Sequence, residues 1–151
     1  MYELFNFKLP DFQFALLSSD AFDPGVVVVY PEEIELLNTR SNTKRKNEFL
    51  GVRHLRNQLK INSPILYHSN GRPYYAASEL ALSISHTKEF IALANAGFPI
   101  GIDIEQKDRD AGRIINKFAR EDEKVLCSTE DKDWYLQLWC AKEAIYKLVG
   151  L

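Results

Sequence analysis

The stretch that most limits how this chain can fold is "LALSISHTKEFIALANAGFPIGIDIE", residues 80–105. Two alternating runs flank a turn at Thr87-Lys88-Glu89, and a third follows Gly97-Phe98-Pro99. Period-two alternation puts successive side chains on opposite faces, so the three runs predict an antiparallel meander with one apolar face. Upstream, the β-branched run "GVVVVYP" reads as a buried strand, and residues 31–37 read as a short helix. Phe49, Val52, Leu55 and Leu59 fall at helical spacing, with a start at Ser41 to Thr43. Asn70-Gly71 and Pro73 mark a turn. Downstream the pattern becomes helical over 113–118 and 120–127. A longer helix runs through "DWYLQLWCAKEAIYKL", with Trp134, Leu138, Ala141, Ile145 and Leu148 expected along its apolar face. Strands followed by helices place the chain in the α+β class.

At 151 residues the chain suffices for one ordinary domain or two small, tightly joined lobes. Hydrophobic content of 46% argues for a packed core against disorder. A formal net charge of −2 argues against a dedicated nucleic-acid binder. No apolar run is long enough to span a membrane. The N-terminus, interrupted by Glu3, Lys8 and Asp11, lacks the basic-then-apolar order of a secretion signal. A cytoplasmic location is therefore expected. Cys127 and Cys140, without CxxC spacing, read as small buried hydrophobes, and three scattered histidines make a poor zinc set.

Charge is distributed unevenly. Residues 40–60 hold Arg40, Lys44, Arg45, Lys46, Arg53, Arg56 and Lys60 against Glu48. A local charge of about +6 in an acidic chain invites an anionic ligand, although a solvated helix face is the commoner reason for such a run. The 99–105 stretch poses the opposite problem. Asp103 and Glu105 are two residues apart and project to the same side, where like charges repel unless a cation sits between them. Glu143 and Lys147, four apart on the last helix, would ordinarily be a surface pair. Set beside Asp103, Glu105 and the basic stretch, they complete the parts for a polyphosphate held with a hard divalent cation.

The ordered set "NGRPYY", "LSISHT", "IGIDIE", "KFAREDE" and "WCAKEAIYK" resembles the 4′-phosphopantetheinyl transferase superfamily. Its hallmark is a G-x-D-x-E strand followed, some forty residues on, by W-x-x-K-E-A-x-x-K. Here those are Gly101, Asp103 and Glu105, then Trp139, Lys142, Glu143, Ala144 and Lys147. The resemblance covers residue 40 to the C-terminus, and a half-chain preceding "LSISH" resembles the larger, two-lobed type. It implies two similar α+β lobes related by pseudo-twofold symmetry, residues 1–95 and 96–151, with coenzyme A between them. It also implies that Asp103, Glu105 and Glu143 hold Mg²⁺ (or Mn²⁺) on the diphosphate, and that Lys147 contacts that diphosphate. Ser85 and His86 would touch coenzyme A phosphates, Arg72 would lie near the nucleotide, and Arg40, Lys44 and Arg45 would meet the 3′-phosphate. Glu123, five residues after Phe118, would take the proton of the acceptor serine, with Glu121 and Asp122 as neighbouring alternatives.

The implied reaction moves the phosphopantetheine arm of coenzyme A to a serine of an acyl or peptidyl carrier protein and releases 3′,5′-ADP. The partners are then coenzyme A and the carrier protein, without nucleic acid or membrane. The sequence stops four residues after Lys147, so the second lobe is expected to be incomplete, either as a fragment or as a natural short form. A monomer with an exposed sheet edge open to association follows. Three other functions compete: a catalytically inactive coenzyme A- or carrier-protein-binding module, a convergent phosphohydrolase, and a nucleic-acid binder.

Overall fold

The computed structural model describes residues 5–126 and 133–150; Cys127 and the expected end of the 120–127 helix lie outside them. Alternation builds the first hairpin, β1 (Phe5–Leu9) and β2 (Phe12–Ser18), paired antiparallel from Phe5↔Leu16 to Leu9↔Phe12. β2 buries Ala15 and Leu17 on one face. The helices α1 (Pro31–Asn38) and α2 (Thr43–Gln58) follow, the second capped by the Asn42 side chain accepting from the Arg45 amide at 2.9 Å. β3 (Ile65–Tyr67) and β4 (Pro73–Tyr75) make a two-stranded ribbon around the turn at Gly71. β5 (Ala81–His86) and β6 (Phe90–Ala96) form the expected hairpin. The main sheet has the order β1-β2-β6-β5, antiparallel throughout. A 3₁₀ turn (Ala111–Ile114), α3 (Ile115–Phe118), α4 (Glu121–Val125) and α5 (Trp134–Val149) complete the described chain.

α2 supplies the core. Val52, Leu55 and Leu59 pack with Ala15 and Leu17 of β2, Ile91 and Leu93 of β6, and Leu82 of β5. Each large apolar side chain buried this fully is worth about 1.5–3 kcal/mol. The same helix also buries two cations. Arg53 and Arg56 are inaccessible and converge on Glu33 of α1, itself fully buried. Arg53 Nε lies 3.0 Å from Glu33 Oε1, and Arg56 Nη1 lies 2.9 Å from each carboxylate oxygen. The amides of Ile65 and Tyr30 donate to the same carboxylate at 2.8 and 3.0 Å. Burial alone would raise the Glu33 pKa, but these donors together hold it below its ordinary value.

Three expectations need correction. The 25–31 run is no strand: it holds a 3₁₀ turn (Pro24–Val26) and then unpaired extended backbone, with Val26 and Val28 exposed. Its β-branched residues favour extension, but the Val28 carbonyl is taken by Arg56 Nη2 at 2.6 Å instead of a strand partner. The 99–105 segment is extended but joins no ladder, so the meander stops at two strands. Both edges of β6 are already occupied, and serine hydroxyls of β5 take the segment's amides: Ile102 N donates to Ser83 Oγ, Ile104 N to Ser85 Oγ. Finally, α5 buries no residue fully. Ala141 and Ile145, expected on its apolar face, are exposed, whereas Trp139, Cys140 and Lys147 are half-buried. None of the described helices is long and apolar enough to cross a membrane.

Glu33→Gln should lower the unfolding free energy by about 3 kcal/mol, because it leaves buried arginines uncompensated. The sign of the pH dependence follows from the depressed pKa. The stabilisation by Glu33 is complete above the ordinary carboxylate value and is lost as pH falls through the lower folded value. Urea titrations of both proteins should therefore differ near neutrality and converge in acid; a gap unchanged down to pH 3 would disprove the assignment.

Candidate functional site

Ser85, near the end of β5, is the meeting point of three segments far apart in sequence. Its Oγ donates to Asp103 Oδ1 at 2.9 Å, accepts from Lys147 Nζ at 3.0 Å, and accepts from the Ile104 amide at 3.2 Å. Lys147, on the inward side of α5, also donates to Asp103 Oδ1 at 2.7 Å and to the Ile102 carbonyl at 3.0 Å. The surface pair between Glu143 and Lys147 is not formed; Lys147 is spent on Asp103 instead. Asp103 Oδ2 is buried with no hydrogen-bond partner among the described residues.

Glu105, one pleat further on, is held by a second cation. Its Oε1 accepts from Trp139 Nε1 at 2.9 Å and from Arg109 Nη1, and the Arg109 guanidinium lies over the Trp139 ring, 4.9 Å from its centroid. Arg109 was not among the sequence candidates; its i,i+4 spacing from Glu105 was the available signal. Contact with Glu105 holds the Arg109 pKa above its ordinary value. Cys140 lies beside the same pair. Burial, with Asp103 and Glu105 close by, pushes its thiol up to about 11, so at neutral pH it is a protonated, unreactive group.

Two cavities adjoin at this junction, sharing Lys44, Glu48, Ile84, His86 and Lys147. One, of about 660 Å³, carries Arg40, Lys44, Arg45, Arg72 and Lys147 against a single carboxylate, Glu48. Phe49 and Tyr67 supply aromatic walls, each with the Arg40 guanidinium over its face, at 5.5 and 5.8 Å. The other, of about 670 Å³, contains Ser85, Asp103, Glu105 and Arg109. A cation-lined chamber beside a carboxylate pair is suited to an anionic polyphosphate whose charge is shared with a hard metal ion. Arg72 links the β3–β4 turn to the end of α5, with Nη2 3.5 Å from the Leu148 carbonyl. Asn70 donates to the Gly150 carbonyl at 3.1 Å, where Gly150 caps α5 at φ 75°.

Every residue expected to bind the anion lines one of these cavities, as do Asp103 and Glu105. Arg53 and Arg56 do not; they belong to the core, so the basic stretch is two cations poorer than its sequence suggests. Glu143 is half-buried on α5, without a partner among the described residues, and lines neither cavity. No group of three His, Cys, Asp or Glu side chains among the described residues is gathered for a metal ion. The orphaned Asp103 Oδ2 and the oxygen-only donors nevertheless fit a hard cation between two carboxylates. Glu123 stands apart. Its Oε2 accepts from Lys142 Nζ at 2.6 Å and from the Arg120 amide at 2.8 Å, and Lys142 foremost holds its pKa below the ordinary value.

The profile of the 4′-phosphopantetheinyl transferase superfamily matches residues 99–151. The 4′-phosphopantetheinyl transferase PptT of Mycobacterium tuberculosis is 31% identical over 149 residues, covering 91% of this chain and 63% of that protein. The 4′-phosphopantetheinyl transferase gsp of Aneurinibacillus migulanus is 29% identical over 95 residues, covering 59% of this chain and 40% of that protein. The chain thus spans less than two thirds of the length of each of these relatives.

Gly101 is where the carboxylate segment touches α5. A Cβ there would overlap the Ala144 carbonyl and fall 2.7 Å from the Leu148 amide. Gly101→Ala should separate the segment from the helix, costing about 1–3 kcal/mol in a denaturant titration. It should also break the Lys147–Asp103 contact and loosen the segment from β5, read as faster hydrogen exchange at the Ile102 and Ile104 amides. Parent-like stability and exchange would show that the contact is dispensable.

Proposed function

We propose that this chain, which belongs to the 4′-phosphopantetheinyl transferase superfamily, binds coenzyme A in the cation-lined cavity and transfers its phosphopantetheine arm to a serine of an acyl or peptidyl carrier protein. The observation that carries this reading is the junction of Ser85, Asp103 and Lys147, at the seam between that cavity and the carboxylate pair. The serine oxygen attacks the β-phosphorus, the bond to 3′,5′-ADP breaks, and the serine proton passes to a carboxylate. Asp103 and Glu105 would hold Mg²⁺ or Mn²⁺, with Glu143 as the third acid that the resemblance supplies. The ion would neutralise diphosphate charge.

The residues of the chain do the remainder. Arg40, Lys44, Arg45, Arg72 and His86 orient the anionic nucleotide, and Lys147 offsets the charge that builds on the departing 3′,5′-ADP. With Glu143, unpartnered among the described residues, left for the metal, Glu123 is the proton acceptor, kept ionised by Lys142. The division into lobes 1–95 and 96–151 is supported by the main sheet ending at Ala96 and helices following. A second reading, a coenzyme A-binding module without turnover, is favoured by the absence of a gathered three-ligand group among the described residues.

Intact-mass analysis of an apo carrier protein incubated with this chain, coenzyme A and Mg²⁺ separates the two. A phosphopantetheine-sized gain, lost in Asp103→Ala, is expected. No gain across several carriers, with coenzyme A still bound, would leave the binding module. Among the acids, Glu123→Gln should slow transfer by roughly 100-fold or more with Mn²⁺ binding unchanged, whereas Glu143→Gln should weaken Mn²⁺ binding in saturating coenzyme A. Parent-like transfer by Glu123→Gln would overturn its assignment as the base.

A further inference from the structure

Asp103 and Glu105 each have one oxygen tied by a cation of the protein and one left over. Asp103 Oδ1 is held by Lys147, and Glu105 Oε1 by Arg109 with Trp139 Nε1. Two carboxylates and two tethered cations sum to no net charge, so the cluster exerts little pull on a free divalent ion. A second cation placed against Glu105 would sit close to the guanidinium, where repulsion between a double and a single charge is substantial even with solvent screening. An incoming diphosphate changes this balance. It brings the negative charge that the cluster lacks and offers Arg109 and Lys147 an alternative partner.

We propose that Arg109 is a positioning residue whose charge withholds the divalent ion from the free protein, so that metal and diphosphate enter together. The inference rests on the coenzyme A reading above. Geometry supports it independently of the metal. The Arg109 side chain is 39% exposed and can leave Glu105 without unfolding anything, while the Trp139 ring beneath it, braced edge-on by Phe118 at 5.1 Å, fixes where it returns. Trp139 Nε1 keeps hold of Glu105 Oε1 throughout, so the carboxylate stays aimed while its counter-cation moves.

Mn²⁺ binding, followed by the electron paramagnetic resonance signal of the free ion, tests this without turnover. The parent, Arg109→Gln and Arg109→Lys would be titrated with Mn²⁺ alone and then in saturating coenzyme A, with melting curves verifying that each is folded. The parent should bind Mn²⁺ weakly alone and about tenfold or more tightly with coenzyme A. Arg109→Gln should bind Mn²⁺ alone about tenfold more tightly than the parent, and its dependence on coenzyme A should shrink. Arg109→Lys, which keeps the charge and loses the ring stacking, should behave as the parent. An Arg109→Gln protein no tighter than the parent overturns the proposal, and so does a parent that binds Mn²⁺ equally well with and without coenzyme A; both leave the transferase reading standing. Absence of Mn²⁺ binding in every protein, even with coenzyme A bound, removes the metal assignment and this inference with it.

Discussion

The hydroxyl of Ser85 makes all the hydrogen bonds open to it, one donated and two accepted, two of them to the carboxylate segment and one to α5. That saturation fixes the carboxylate segment against β5 and brings the end of α5 down onto both. An alanine there would leave Asp103 with Lys147 alone and free the Ile104 amide. Ser83 repeats the arrangement one pleat earlier by accepting from Ile102, so two serines on one face of an edge strand replace the ladder that a third strand would have made. Ladder pairing would have placed residues 101–105 beside β5. Hydroxyl pairing lays them against its serine side, where Asp103 meets Lys147.

Beneath this junction the core depends on a buried charge. Glu33 gathers two arginines of α2 and two backbone amides, tying α1, α2 and the start of β3 into one unit. The same helix turns its N-terminal cations toward the cavity and its later ones inward. One sequence run of positive charge is thereby divided, with Lys44 and Arg45 of α2 and Arg40 just before it at the cavity, and Arg53 and Arg56 at Glu33. Fixing α2 by its buried arginines also fixes where its exposed ones point.

Much of this was legible in the sequence. The β5–β6 hairpin and α2 follow from periodicity, because each has one face that must be buried; α1 and α5 were legible as helices although α1 buries only Glu33 and α5 buries no residue fully. The β1–β2 hairpin went unread, although Phe5, Phe7 and Leu9 alternate with Asn6 and Lys8 and Asp11 lies in the turn between the strands. The valine run misled because propensity favours extended backbone but does not provide a partner strand. The site residues came from motif order, and Ser85, His86, Asp103, Glu105 and Lys147 line one cavity. No pattern could show that the counter-cations of the carboxylate pair are Lys147 and Arg109. That depends on where α5 lands: Leu138 and Leu148 turn inward as expected, but Ala141 and Ile145 face solvent while Trp139 and Lys147 face the carboxylate pair.

α5 has no fully buried residue, and polar contacts share with its half-buried apolar side chains in fixing its position. Those contacts are spread along its length: Trp139 to Glu105, Lys142 to Glu123 and the Phe118 carbonyl, Lys147 to Asp103, and the terminal carbonyls of Leu148 and Gly150 to Arg72 and Asn70. All of these but the Lys142 contacts involve residues that line the two cavities. A ligand that draws on Lys147 and Arg72 therefore competes with the bonds that seat the helix, and repays them through its own charge. Helix position and ligand occupancy would then be linked equilibria, with the sign of the coupling set by whether the ligand prefers the seated form. An apolar seat for α5 would have been firmer, but it would not have sensed the charge in the cavity beside it.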